Sequence, residues 1–219
     1  MKSKVSNSQK ALNLWAIILI IWSIYRYNFK MPDWFDEFIA KPLVFVLPVY
    51  YYIKRVEKTD FFSGLNWKTK MEKGTIILGL IMGLVFFITA ILGNWVKFNS
   101  FVFLPGKTVS LSSIFLIVLM ALATGISEEI LSRGFILKRL YEESKNIYTS
   151  SFFSSILFFF LHVPILFASL KISGNLLLFF MITDLLLSLT ISFLYLDKKD
   201  LTLPIMVHTL YNLSIYFFT

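Results

Sequence analysis

The chain consists largely of apolar segments that are about as long as a membrane is thick. They follow one another from Leu12 to Phe218, and 57% of the 219 residues are hydrophobic while only 16% are charged. Soluble domains carry roughly 25% charged residues, and a helix needs about 20 apolar residues to cross the hydrocarbon core of a bilayer. We therefore expect an all-α, multi-pass bundle of transmembrane helices, with residues 1–219 forming one membrane domain.

Seven apolar segments predict about seven membrane-spanning helices, or eight if one further span is present. The segments are residues 12–27, 38–53, 75–96, 111–131, 150–170, 175–196 and 201–218. The fourth is expected to continue as one helix to about Tyr141, because residues 128–141 contain no proline and a single glycine. Lysines precede the first segment as in a signal peptide, but no small-residue cleavage site follows, so we expect an uncleaved first span.

The cations between the apolar segments and near their ends predict the orientation of the chain. With the N-terminus in the cytoplasm, 15 of the 21 lysine and arginine residues fall on the cytoplasmic side and 6 on the other side, as the positive-inside rule requires. These cations account for the net charge of +8, so no nucleic-acid partner is expected. The chain has no cysteine, which excludes a disulfide framework, thiol catalysis and thiolate metal ligands.

A set of polar and charged side chains interrupts the apolar segments, where such groups are costly and are usually kept for function. The set consists of Glu128, Glu129, Arg133, His162, His208 and Asn212. Glu129 and Arg133 are four residues apart on one helical face, which predicts an ion pair. Glu128 is turned about 100° away and is suited to act as a general base. The alternative is a helix that emerges into the cytoplasm with ordinary surface charges.

The other members of this set are predicted to approach Glu128 from two further helices. If the fourth and fifth segments form a hairpin that turns at residues 142–149, Glu128 and His162 both lie about 20 Å from the turn. His208 and Asn212 are four residues apart, so they point the same way and predict an anion-stabilising pair. The alternative for His162 is a structural hydrogen bond between packed helices, and for His208 and Asn212 it is a polar stripe that helps the last helix to pack.

Asp184 is a further acidic side chain within an apolar segment. Its position demands a partner, either Arg133 or a histidine, or a water-filled cavity, and we expect a structural role in preference to a catalytic one. The chain contains neither G-x-S-x-G, the motif typical of serine hydrolases, nor H-E-x-x-H, the motif typical of zincins. The sequence therefore does not predict either class of enzyme. Gly79 and Gly83 form G-x-x-x-G, which favours close helix packing within the bundle over a dimer face.

Three motifs together resemble those of the CAAX-processing and bacteriocin-processing family of intramembrane proteases (the CPBP, or ABI, family), which includes the type II CAAX prenyl endopeptidases. The motifs are E-E-x-x-x-R at 128–133, F-x-x-x-H at 158–162 and H-x-x-x-N at 208–212, in this order within a core of residues 111–218. The resemblance implies an intramembrane endopeptidase that cuts a peptide or protein substrate near the cytoplasmic side. It also implies a bacterial cell-membrane protein surrounded by lipid, for which a prenylated CAAX substrate is less expected.

The resemblance also implies a role for each polar residue. The implied catalytic residues are Glu128 and His162 as activators of water, and His208 and Asn212 as the oxyanion-stabilising pair, with Glu129 and Arg133 in support. The family has also been interpreted as metalloproteases, and in that version His162, His208 and Glu128 bind one divalent metal such as Zn²⁺ with an open position for water. We favour the metal-free mechanism, in which a buried glutamate deprotonates water directly.

Two other functions are compatible with the same residues. The family includes bacteriocin self-immunity proteins, so the chain is alternatively a non-catalytic immunity protein that binds a bacteriocin or masks its receptor. Transporters also use buried polar groups, but they more often show discontinuous helices in matching halves, which are not evident in this sequence. Peptidase and immunity functions can coexist. Neither the substrate nor the oligomeric state is predicted.

Overall fold

The computed structural model describes residues 5–68, 70, 72–104, 110–168 and 174–218. Within these residues the chain forms eight helices and no strand, which confirms the predicted all-α bundle. The helices are α1 Asn7–Asn28, α2 33–57, α3 Phe61–Gly64, α4 Lys73–Phe98, α5 Leu111–Ser144, α6 Ile147–Ala168, α7 Gly174–Lys198 and α8 Thr202–Phe218. Each of the seven predicted segments overlaps one of them, although the end of the fifth segment, residues 169–170, lies outside the described residues. Helix α3 is an additional short helix between α2 and α4.

Five of these helices, α1, α4, α5, α6 and α7, are long and apolar enough to cross a membrane. The other two predicted spans fall outside this group. Helix α8 has only 17 residues, and α2 carries Asp36, Glu37 and Lys41 in its first turns. The chain therefore has the features of a multi-pass membrane protein, and α2 stands out because charged residues interrupt its apolar sequence.

The longest helix, α5, is the element on which the polar residues of the first motif lie. Ser110 caps its first turn by accepting a hydrogen bond from the Ser113 N–H at 3.1 Å. The helix continues past Tyr141 to Ser144, which confirms the predicted continuation. Residues Ile130–Leu137 form π-helical turns, and all of their side chains are buried. Such turns are frequent at functional sites, and these begin directly after Glu129.

The helix that follows α5 in sequence, α6, forms a hairpin with it. Lys145 adopts a left-handed backbone conformation with φ 56° at the end of α5, and α6 begins at Ile147. The turn therefore lies inside the predicted interval of residues 142–149. Because α5 and α6 are antiparallel from this turn, the first and second motifs lie at similar depth in the bundle.

Helix α8 packs between α5 and α4. On the α4 side, the glycines of the G-x-x-x-G motif lie against α8, with Met206 and Leu203 next to Gly79 and Leu210 next to Gly83. A side chain at either glycine would collide with these residues, so the motif serves close packing within the bundle. This arrangement fixes α8, which carries the third motif, against the N-terminal part of the chain.

Helices α1 and α2 cover the other side of α5. Trp22 of α1 packs edge to face on Phe45 of α2, with ring centroids 5.0 Å apart, and both rings belong to one buried core with Phe135 of α5. The outer side of α4, in contrast, exposes large aliphatic side chains such as Leu80 and Leu84. In a bilayer this face contacts lipid. The polar residues of α5 are thus enclosed by α2, α6, α7 and α8.

Candidate active site

Glu128 lies at the centre of a group of ionisable side chains from four helices. Its Oε1 is 2.8 Å from Lys41 Nζ, and its Oε2 is 3.6 Å from His208 Nε2 and 3.8 Å from His162 Nε2. The last two distances exceed those of direct N–H···O hydrogen bonds. Accordingly, Glu128 Oε2 is buried with no hydrogen-bond partner among the described residues. The structure thus brings together the glutamate and both histidines singled out from the sequence.

Glu129 and Arg133 form a second charge network, in which neither side chain is exposed. Arg133 Nη1 donates to Glu129 Oε1 at 2.7 Å, and Nη2 donates to Ser188 Oγ at 2.7 Å, so the predicted ion pair is present. The same Glu129 oxygen lies 2.7 Å from His208 Nδ1. Glu129 therefore orients the His208 ring and turns its Nε2 toward Glu128, a contact that the sequence did not predict.

Phe158, the first residue of F-x-x-x-H, packs against three of the polar side chains. Its ring centroid lies 4.8 Å from that of His162 and 5.6 Å from that of His208, and the Arg133 guanidinium lies 4.4 Å from it. Its backbone oxygen is 3.3 Å from His162 Nδ1, so it accepts a hydrogen bond from that nitrogen. Phe158 thus limits the rotation of both imidazole rings.

Asp184 has the histidine partner that was one of the expected possibilities. Its Oδ2 lies 3.7 Å from His162 Nδ1 and has no hydrogen-bond partner among the described residues. The 3.7 Å separation is longer than a hydrogen bond. Asp184 therefore lies beside His162 without a direct hydrogen bond, at the ring nitrogen that does not face Glu128.

Lys41 and Glu37 are the members of the site that the sequence interpretation missed. The orientation prediction places Lys41 among the 6 non-cytoplasmic cations and Arg133 among the 15 cytoplasmic ones, but both side chains are buried in the bundle. Lys41 Nζ is 2.8 Å from Glu37 and 2.8 Å from Glu128. The two α2 residues are four positions apart at the start of the second apolar segment. This is the same signal that identified Glu129 and Arg133, and it could have found them.

A cavity of about 360 Å³ opens onto these groups. Its polar wall consists of Glu37, Lys41, Thr124, Glu128, His162, Asp184, His208 and Asn212. Phe159, Phe180 and Met181 contribute an apolar wall. Asn212 Nδ2 has no hydrogen-bond partner among the described residues, so it is a donor available to whatever occupies the cavity. His208 and Asn212 both line the cavity, as their spacing predicted.

The residues considered as metal ligands, His162, His208 and Glu128, are not well suited to bind a divalent metal ion. The residues that the structure describes contain no group of three or more His, Cys, Asp or Glu side chains that could hold a metal ion. In the set His162, His208 and Glu128, one carboxylate oxygen is already paired with the Lys41 ammonium at 2.8 Å, and this cation opposes a second positive charge beside it. The chemistry derived below therefore uses the side chains alone.

Comparison with known proteins identifies the same family that the three motifs resemble. A family model described as type II CAAX prenyl endopeptidase Rce1-like matches residues 110–214, a segment that contains all three motifs. The match confirms the resemblance inferred from the motifs and indicates a membrane protease. No curated protein and no solved structure matches the chain significantly.

Proposed function

We propose, with the match of residues 110–214 to the type II CAAX prenyl endopeptidase family as the premise, that the chain is an intramembrane endopeptidase. Glu128 and His162 activate the attacking water, and His208 and Asn212 stabilise the oxyanion. The observation that carries this proposal is the environment of Glu128 Oε2. This oxygen is buried without a partner among the described residues, and it faces Nε2 of both histidines.

The separation of Glu128 and His162 suits a shared water molecule. Two acceptors that each lie about 2.8 Å from one tetrahedral water are roughly 4.5 Å apart, so 3.8 Å between Oε2 and Nε2 is close to that arrangement. His162 donates from Nδ1 to the Phe158 carbonyl, which leaves Nε2 of the neutral ring as an acceptor. Both protons of the water are then directed at the protein, and its oxygen is directed at the cavity.

Hydrolysis follows from this arrangement. The water oxygen bonds to the carbonyl carbon of the peptide while Glu128 takes one water proton, and the carbonyl oxygen becomes an oxyanion. When the tetrahedral intermediate collapses, the carbon–nitrogen bond breaks and Glu128 returns the proton to the leaving nitrogen. The products are a new carboxyl terminus and a new amino terminus, and Glu128 is ionised again.

The oxyanion is stabilised by donors from α8. Asn212 Nδ2 is an uncommitted donor at the cavity wall. His208 already donates from Nδ1 to Glu129, so its Nε2 donates to the oxyanion when the ring carries both protons. In that form its positive charge adds to the hydrogen bond from Asn212.

The cavity also suggests the kind of substrate. The apolar wall formed by Phe159, Phe180 and Met181 favours a peptide with apolar side chains beside the bond that is cut. We propose that the protein acts in the cell membrane of a bacterium, with its N-terminus in the cytoplasm and cleavage near the cytoplasmic side. Bacteriocin processing or self-immunity is the role we propose for this cleavage.

A substitution series tests the peptidase function. Mass spectrometry of membrane peptides, with and without the wild-type protein, identifies what is cut, and the purified protein is then assayed on those peptides. Glu128→Gln is expected to lower kcat by about 10³-fold, within the range for loss of a general base, and His162→Ala, His208→Ala and Asn212→Ala by about 10²-fold or more. Glu142→Gln is the matched control, since Glu142 is a largely exposed glutamate of the same helix.

The same assay separates the competing mechanisms. Unchanged activity in folded Glu128→Gln protein contradicts the peptidase proposal. Loss of wild-type activity on treatment with a chelator, restored by a divalent metal, contradicts the metal-free mechanism. If the variants cleave nothing but still protect cells against a bacteriocin, the protein acts instead as a non-catalytic immunity protein.

A further inference from the structure

We propose that Lys41 is a positioning residue for Glu128, supplied by a helix outside the family-matched segment. The proposal rests on the proposed function, because it assigns Lys41 a role relative to Glu128 as the base. Lys41 lies on α2, whereas the matched segment begins at residue 110. The side chain is 6% exposed, so its charge is removed from water and must be compensated by neighbouring groups.

The Lys41 ammonium is held between two carboxylates. Glu37, one turn earlier on α2, lies 2.8 Å from Nζ, and Glu128 Oε1 lies 2.8 Å from the same nitrogen on the α5 side. A lysine that only compensated Glu37 would not need to reach α5. Because the three groups are buried together, removal of the ammonium leaves two carboxylates facing each other without a cation between them.

A second contact fixes this pair in register with the active site. The Thr124 hydroxyl donates to Glu37 Oε2, and Thr124 precedes Glu128 by one helical turn on the same face of α5. Two successive turns of α5 thus bind two successive turns of α2. The Glu37–Lys41 pair cannot shift along α5 without breaking both contacts, so Lys41 remains opposite Glu128.

The two carboxylate oxygens of Glu128 consequently have different roles. Lys41 binds Oε1, which fixes the plane of the carboxylate and directs Oε2 at the Nε2 atoms of His162 and His208. The ammonium also favours the ionised form, which is the form that accepts a proton from water. The charged and titratable groups facing Glu128 are Lys41 from α2, His162 from α6 and His208 from α8, with Asp184 of α7 beyond His162.

The test compares the same substitution at two lysines of α2. Lys41→Met is expected to lower kcat by about 100-fold, the usual effect of a misplaced catalytic group, with little change in KM. The acidic limb of its pH–activity profile moves to higher pH, because protonation of Glu128 is no longer opposed by the ammonium. Lys54→Met is the matched control, since Lys54 is partly exposed and pairs with Asp60 away from the cavity.

Two further variants separate positioning from folding. Lys41→Arg retains the charge and is expected to restore the pH profile and part of kcat. The double variant Lys41→Met with Glu37→Gln removes the charge of Glu37 together with that of Lys41, so it is expected to fold even if Lys41→Met alone does not, and still to show the low kcat. Melting curves of the detergent-solubilised protein report folding of each variant.

Infrared spectroscopy without substrate tests the contact between Lys41 and Glu128. The infrared difference spectrum between a protein and its Glu128→Gln variant isolates the Glu128 carboxyl group. At neutral pH we expect an ionised carboxylate in the wild-type and Lys54→Met backgrounds, and a shift toward the protonated carboxyl in the Lys41→Met background. An unchanged spectrum together with unchanged kcat and pH profile in Lys41→Met overturns the positioning role, even if Glu128→Gln is inactive. If Glu128→Gln itself remains active, the proposed function fails instead.

Discussion

The N-terminal region, α1–α4, and the C-terminal region, α5–α8, contribute to the site in different ways. The C-terminal region carries the three motifs and lies almost entirely within the family match, whereas the N-terminal region lies outside it. Nevertheless, Glu37 and Lys41 of the N-terminal region are buried against Glu128. We infer from this difference that the two regions have different roles. In the proposed mechanism, motif residues supply the reacting groups, and the N-terminal region supplies a cation that allows one of them to stay charged inside the bundle.

The two adjacent glutamates of α5 show the same contrast at close range. Glu129 is compensated within the C-terminal region, by Arg133 one turn away and by His208. Among the described residues, Glu128 faces the two histidines on the C-terminal side and takes its permanent cation, Lys41, from α2. The C-terminal region thus supplies a permanent cation that balances the negative charge of Glu129, but it supplies none for the negative charge of Glu128 among the described residues. The following predictions test this contrast, beginning with the largest expected effect on stability.

Arg133→Met tests whether the C-terminal region depends on its own cation. Breaking a buried ion pair by removing one partner costs about 3–5 kcal/mol, and Glu129 and His208 would lose the group that holds them. We expect a loss of unfolding free energy in that range, measured by denaturation in detergent. Arg55→Met is the control, because Arg55 is an exposed arginine of the N-terminal region. Equal stability of the two variants would mean that the Glu129 network does not support the fold.

Gly83→Ala tests the junction between the two regions. A Cβ at Gly83 would lie 2.9 Å from Leu210 Cβ, so α4 and α8 must move apart, and overpacking of this kind costs about 1–3 kcal/mol. Gly74→Ala is the matched control on the same helix, because nothing lies within 4 Å of the added carbon. We expect a lower melting temperature for Gly83→Ala only. Similar melting curves would show that the glycine contact is not needed to hold α8.

Asp60→Asn tests a charge of the N-terminal region that lies outside the membrane-spanning segments. The Ser63 N–H and the Lys54 side chain hold the pKa of Asp60 below its usual value. The stabilisation by this carboxylate is therefore present above the unfolded-state pKa and is lost as the pH falls through the lower folded-state value. We expect a small melting advantage of the wild type over Asp60→Asn at pH 7 that disappears on strong acidification. An advantage that persists in acid would show that the charge is not its source.

Sequence reasoning recovered the parts of the fold and site that depend on local patterns. The helices and the continuation of α5 to Ser144 follow from apolar length and the absence of proline, and the Glu129–Arg133 pair follows from the spacing of four residues. The prediction that Glu128 and His162 lie at the same depth followed from counting residues from the turn of one helical hairpin. Lys41 was misplaced because it lies only a few residues inside the second predicted segment, residues 38–53. Counting cations by loop does not distinguish such a residue from a membrane-surface charge.

The sequence by itself determined that this chain is a helical membrane bundle carrying one ordered set of motifs that resemble those of a protease family. Both properties follow from composition and from spacing along the chain, where geometry is set by the helix repeat. Only the tertiary structure decided the partners of each group: His208 with Glu129, His162 with Asp184, and Glu128 with Lys41. These residues are separated by up to 87 positions in sequence, so their contacts depend on how helices pack and not on any local periodicity. The charge balance of the active site is therefore a property of the whole bundle.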